Sequence, residues 1–329
     1  MQYHDLQLFV MQDCLAYGEK IAQKLGVTLS PYEERRFEDG EHKCRPLVSV
    51  RGNNVFVIAS FYQDTSLSVN DKLCRFLFFV GALHDASAGS ITAIIPYMCY
   101  ARKDRKTQFR DPVTTRYIAQ LFEAVGLNRI VTLDIHNLQA YQNAFRIHSD
   151  HLEARKLFVH YFASILGSEE CTVLSPDAGG MYRAEKFRAS LEHLIGRDIS
   201  LGFMEKHRSK GQVWGETIAG NVKDKSVIVV DDLISTGGTL ARAAKACISL
   251  EAHRVWVCAT HGLFLSNAFE ALSISEIGKI VVTDTVVHQN FSSHSAFEKK
   301  TTVLDTSSMW AKAILRIHQG GSLVELLQD

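Results

Sequence analysis

Apolar residues along this chain fall into short runs, separated by stretches in which they recur every three or four positions. The runs at 55–60, 91–95, 129–133, 172–174, 199–203, 227–230, 254–259 and 280–282 predict strands. The stretches at 70–84, 114–125, 181–194, 239–250 and 266–272 carry helical spacing. The strand runs alternate with the helical stretches along the whole chain, and the run 227–230 is apolar throughout, so both its faces need cover. That is the habit of parallel sheets flanked by helices. Runs before and after about residue 150 suggest two similar α/β halves, 1–152 and 153–329. The stretch 307–327 has helical spacing (Trp310, Ile314, Ile317), broken by Gly320 and Gly321, and 291–302 is the most loop-like segment.

Composition narrows the class. The 329 residues are 46% hydrophobic with five prolines, which suits a chain that buries a sizeable core. Lys plus Arg and Asp plus Glu each number 36, so no net charge draws the chain to nucleic acid or a membrane surface. The seven cysteines form no C-x-x-C pair, and several sit in apolar runs, as reduced core cysteines do. The N-terminus has no basic region followed by an apolar stretch, and no apolar run approaches the ~18 residues of a membrane span. A cytoplasmic location is expected.

The densest chemistry lies at Val227-Ile-Val-Val-Asp-Asp-Leu-Ile-Ser-Thr-Gly-Gly-Thr239. An apolar strand ends in Asp231 and Asp232, and Ser235, Thr236, Gly237, Gly238 and Thr239 then open a helix. Open α/β sheets bind ligands at that edge, and a helix N-terminus behind a glycine turn favours an anion. Two carboxylates beside a phosphate cradle repel a polyphosphate but suit a ligand with hydroxyls on one side and a single phosphate on the other: a sugar phosphate. A P-loop nucleotidase is excluded, since the only Gly-Lys pair, Gly278-Lys279, is followed by Ile280.

Further candidates surround it. Ser175-Pro-Asp-Ala-Gly-Gly180 is a second strand–turn–helix junction, in which Asp177, Ala178, Gly179 and Gly180 can hold an anion and Asp177 can reach a magnesium ion. Asp134 and His136, two apart on a strand, face one side and suit a metal, a phosphate or a hydrogen bond. Arg102, Lys103 and Asp104, with Arg105 and Lys106, form a basic strand exit suited to a triphosphate or simply to solvent. Phe37, Asp39 and Glu41 offer an aromatic plane and two acceptors around a glycine turn. Lys206, Arg208 and Lys210 lie on a segment read as a loop able to close over a transferring phosphate.

In order and spacing these motifs resemble the ribose-phosphate pyrophosphokinase family. Val229–Thr239 looks like that family's phosphoribosyl-binding signature, shared with type I phosphoribosyltransferases, and 175–180 like its pyrophosphate loop. The resemblance implies two tandem type I phosphoribosyltransferase-like domains with the active site between them and a C-terminal tail that returns to the first. It implies ATP on Phe37, Asp39, Glu41, Arg102, Lys103 and Asp104, and ribose 5-phosphate on 231–232 and 235–239. Lys206 and Arg208 become catalytic, His136 and Asp177 ligands of magnesium, and the chain a homo-oligomer built from dimers, in the family a hexamer. The expected reaction moves the β,γ-diphosphoryl group of ATP to the 1-hydroxyl of ribose 5-phosphate. The chain departs from the family pattern at Lys103, where Gln is usual, at His207, where Arg is usual, and in 137–142. Two other readings stay open: a phosphoribosyltransferase, which needs only one such domain, and a non-catalytic paralogue.

Overall fold

A computed structural model describes residues 5–209, 212–265, 267–287 and 295–328, with side chains throughout except at 206–209, 212–216 and 328. The chain divides into two compact units, one of 1–153 with 306–329, the other of 154–305.

In the first unit the strands are β1 (Leu6–Val10), β2 (Tyr32–Arg36), β3 (His42–Pro46), β4 (Asn54–Ile58), β5 (Ser90–Ile95), β6 (Arg129–Leu133) and β7 (His148–Leu152). Five form a sheet in the order β1-β4-β5-β6-β7, parallel throughout. Val55 to Ile58 are almost wholly buried, as expected of a central strand covered on both faces. β2 and β3 pair separately as an antiparallel ribbon. Helix Val69–Asp85 begins at a capping box in which Ser68 and Asp71 satisfy each other's backbone N–H groups. Its Phe76 meets Phe61 and Phe122 edge-on at 5.4 Å, and its Phe79 meets Phe9 at 5.3 Å, within the core. The same helix buries Lys72, whose ammonium lies 2.9 Å from Asp13 and 2.7 Å from Asp64, under the ring of Tyr62. Helix Ser307–His318, late in the chain, belongs to this unit and packs on helix Leu15–Leu25, beside a 2.7 Å hydrogen bond between Tyr17 and Thr306.

The second unit contains β8 (Cys171–Ser175), β9 (Ser200–Ser209), β10 (Gln212–Ala219), β11 (Ser226–Ile234), β12 (Arg254–Gly262), β13 (Lys279–Thr283) and β14 (Thr301–Leu304). Their order is β10-β9-β8-β11-β12-β13-β14, with only the β9–β10 pair antiparallel. Helices Met181–Ile195 and Gly238–Ser249 follow β8 and β11. All seven cysteines are thiols, six of them buried.

Three expectations change. The basic segment at 205–209 is not a loop: its backbone is the end of β9, paired with β10. β11 does not end at its carboxylates but runs past them to Ile234, because the ladder with β12 continues through Leu233 opposite His261. Of the stretch 291–302, residues 295–300 form a helix and 301–302 begin β14, while 291–294 lie outside the described residues.

Candidate functional site

β11 is central in its sheet, paired with β8 on one side and β12 on the other. The β8 pairing ends at Val229 opposite Leu174, so beyond it one flank of β11 opens onto the turn that leaves β8. Asp231 and Asp232 lie in that opening, with side chains 24% and 7% exposed. Asp231 bends toward its own backbone and accepts the N–H of Asp232 at 2.9 Å. Helix Met181–Ile195 supplies their counter-charge: Arg183 Nη1 is 3.5 Å from an oxygen of Asp231 and 3.3 Å from one of Asp232. Burial, then the adjacent Asp232 carboxylate, push the Asp231 carboxyl above its usual range, against the opposing guanidinium.

The turn leaving β8 is held by its own polar groups. Ser175 Oγ donates to the carbonyl of Asp177 at 2.6 Å, and Gly180 N–H donates to the Asp177 carboxylate at 3.1 Å. A Cβ at Gly180 would stand 2.6 Å from Ser175 Oγ, so the tightness of the turn depends on glycine there. Ala178, Gly179 and Gly180 form a single 3₁₀ turn running into the helix.

The turn leaving β11 places Ser235, Thr236, Gly237, Gly238 and Thr239 before and at the start of helix Gly238–Ser249. Gly237 sits at φ 74°, and a Cβ there would come 2.7 Å from Leu272. No side chain caps this helix, so its first N–H groups face the turn, which is the arrangement that receives an anion. Nearby, buried His261 shares a 2.9 Å hydrogen bond with Thr285.

Apart from Lys206 and Arg208, the first unit holds the other candidates. Phe37, Asp39 and Glu41 meet at the tip of the β2–β3 ribbon: Phe37 N–H donates to the Glu41 carbonyl at 2.8 Å and Glu41 N–H to the Asp39 carboxylate at 3.0 Å. Phe37 is 37% exposed, with the Arg35 guanidinium 5.0 Å from its ring centre. A cleft of about 620 Å³ runs along Asp39, Glu41, His42, Asp71, Arg75 and Phe78; Phe37 does not line it. After β5, Arg102 and Lys103 are exposed, and Lys103 N–H closes a turn onto the Tyr100 carbonyl at 2.9 Å. Asp104 accepts from Asn137 at 2.6 Å, which ties this turn to the exit of β6 near His136.

Two sequence readings are corrected here. Asp134 and His136 do not alternate along a strand, because β6 ends at Leu133 and Asp134 turns the backbone at φ 40°. Lys206 and Arg208 are strand residues, in register with Glu216 and Val213; their side chains lie outside the described residues. Among the described residues no group of three or more His, Cys, Asp or Glu is placed to hold a metal ion. Sequence reasoning passed over Arg183. The available signal was its position, three residues beyond Gly180 in the first turn of a helix that leaves a glycine turn.

Residues 6–126 match the N-terminal domain of ribose phosphate pyrophosphokinase, and 202–328 match the phosphoribosyl synthetase-associated domain. The chain is 38% identical to the ribose-phosphate pyrophosphokinase of Caldanaerobacter subterraneus subsp. tengcongensis, over 98% of each chain. It is 36% identical to that of Fusobacterium nucleatum subsp. nucleatum, over 99% of each. The solved structure of phosphoribosylpyrophosphate synthetase from Mycobacterium smegmatis superposes with a TM-score of 0.85 at 32% identity, covering 96% of this chain and 100% of that one.

Proposed function

We propose, because the chain belongs to the ribose-phosphate pyrophosphokinase family, that it transfers the β,γ-diphosphoryl group of ATP to the 1-hydroxyl of ribose 5-phosphate, releasing AMP. The two units have the tandem phosphoribosyltransferase-like fold of that family. The observation that carries the substrate assignment is the acidic pair on β11, Asp232 buried and Asp231 partly so, flanked by two glycine turns that open helices.

Each group has a task that follows from its chemistry. Asp231 and Asp232 accept from the sugar hydroxyls. The N–H groups at 235–239 receive the 5-phosphate, and the Asp177–Gly180 turn receives the diphosphate. Phe37, Asp39 and Glu41, with Arg102, Lys103 and Asp104, hold the nucleotide. Diphosphoryl transfer needs positioning and charge neutralisation rather than a protein nucleophile. Lys206 and Arg208 supply positive charge to the moving group on this reading.

Magnesium fits this donor set in part. Asp177 offers the hard oxygen such an ion accepts alongside substrate phosphates, whereas the exposed imidazole of His136 suits hydrogen bonding better. When bound with the nucleotide, the ion would neutralise phosphate charge. No helix among the described residues is long and apolar enough to cross a membrane. A cytoplasmic homo-oligomer built from dimers completes the proposal, and sedimentation of the purified chain tests its assembly.

The deciding experiment measures AMP formed from ATP and ribose 5-phosphate, against nucleotide formed from a purine base and phosphoribosyl pyrophosphate. AMP from the first pair alone supports the proposal. Product from the second pair alone replaces it with a phosphoribosyltransferase, and none from either leaves a non-catalytic paralogue.

A further inference from the structure

The carboxylate pair on β11 poses an electrostatic problem. Two adjacent carboxylates at a half-closed sheet edge repel each other, and such pairs tend to retain a proton between them. A retained proton would remove one acceptor from a site whose task is to accept from sugar hydroxyls. Successive side chains on a strand point to opposite faces. Here Asp231 folds back onto the N–H of Asp232, and a single guanidinium nitrogen reaches both carboxylates, at 3.5 and 3.3 Å.

The arginine comes from the other anion turn. Arg183 sits in the first turn of helix Met181–Ile195, which starts directly from Gly180. Its Nη1 lies 3.8 Å from where a Cβ on Gly180 would stand. The guanidinium therefore spans from the β8 turn to the acidic pair on β11, with a side chain 27% exposed. The neighbouring elements contribute other ionisable groups. Asp177 accepts from Gly180 N–H, His261 on β12 is bonded to Thr285, and Arg242 lies 3.5 Å from the Thr239 hydroxyl. On its own helix, Glu185 pairs with Arg188.

We propose that Arg183 is a positioning residue for the sugar substrate, holding Asp231 and Asp232 together, opposing the proton uptake that their burial and mutual repulsion favour, and coupling them to the diphosphate turn. The inference rests on the diphosphokinase reading given above. Arginine suits the role because its planar fork places one delocalised charge against two carboxylates, which a lysine ammonium does less well.

The test compares wild type with Arg183→Met and Arg183→Lys. It follows AMP formation over a range of pH, with each substrate varied in turn and each variant checked for a wild-type melting temperature. Arg183→Met is expected to raise the KM for ribose 5-phosphate roughly 10- to 100-fold, as loss of hydrogen bonds to a charged group implies, while the KM for ATP stays put. The guanidinium favours the ionised carboxylates. Without it they take up a proton at higher pH, so the acid limb of kcat/KM for ribose 5-phosphate moves upward. Arg183→Lys restores part of that shift. A wild type that forms no AMP overturns the diphosphokinase reading and the inference with it. An active wild type whose Arg183→Met variant keeps its acid limb, or loses affinity equally for both substrates, overturns the inference alone.

Discussion

Gly237 is where backbone conformation and packing both exclude a side chain, so Gly237→Ala tests the turn most directly. The residue holds φ at 74°, a left-handed conformation that costs a non-glycine about 1–2 kcal/mol. An added Cβ would lie 2.7 Å from Leu272 Cγ and 3.0 and 3.1 Å from its two methyl carbons. Leu272 is fully buried and has nowhere to turn, so overpacking adds about 1–3 kcal/mol. At about 2–4 °C per kcal/mol for a domain of this size, the melting temperature of the second unit falls by roughly 4–20 °C. Gly238→Ala is the contrast. Its φ is not in the left-handed region, and its Cβ would meet only Arg242 Nη1 at 3.5 Å, an ordinary contact. Its stability should change by less than about 1 kcal/mol. Calorimetric melts of the three proteins decide the matter. Equal melting of Gly237→Ala and wild type, or an equal loss in both variants, would refute the account of this turn.

Asp232→Asn should raise the KM for ribose 5-phosphate strongly while that for ATP stays near wild type; equal weakening for both substrates would place the pair elsewhere in the chemistry. Lys206→Ala should lower turnover ~10²–10³-fold with equilibrium binding of ATP little changed, the mark of a charge used mainly in the transition state. A variant keeping more than about a third of wild-type turnover would remove that residue from the mechanism. Lys72→Met strands Asp13 and Asp64, whose side chains are 13% and 11% exposed, and should destabilise the first unit by about 3–5 kcal/mol near neutral pH. Burial alone would raise Asp64, but hydrogen bonds from Lys72, Ser66 and the backbone outweigh it and hold the carboxyl well below its usual range. A depressed folded pKa gives stability that is present above the unfolded value near ~4 and is lost as pH falls. The gap between wild type and Lys72→Met should therefore narrow in urea titrations below about pH 4, and a gap that widens there would count against the buried pairing.

The central strands were legible because their burial on both faces leaves an unbroken apolar run, as at Val227 to Val230. β2, β3 and β7 were not, for the opposite reason. Their sequences, YEERR, HKCRP and HSDHL, are rich in charged and polar residues. β2 and β3 form a two-stranded ribbon with much of its surface exposed, and β7 is the edge of its sheet. No apolar period survives in such strands. The end of β11 failed differently: paired aspartates disfavour a strand by composition, yet the ladder with β12 carries the strand through them. Pairing with a neighbour decided that boundary, and a partner strand is invisible in local sequence.

The same division governs the site. Glycine turns are local devices, so Asp177 to Gly180 and Ser235 to Thr239 could be read as anion cradles from their own residues. The balance of charge around them is not local. Arg183 reads as one more surface arginine on a helix, and Lys72 as one more solvated lysine. What sets them apart is that each lies against two carboxylates brought to it from another part of its unit. A buried charge persists only where such partners meet it. On the proposed reading, the sugar site depends on an arginine that no spacing within β11 and its turn foretells. Variants that leave both glycine turns intact should still weaken sugar binding, by the same roughly 10- to 100-fold in KM, when they separate that cation from its acidic pair.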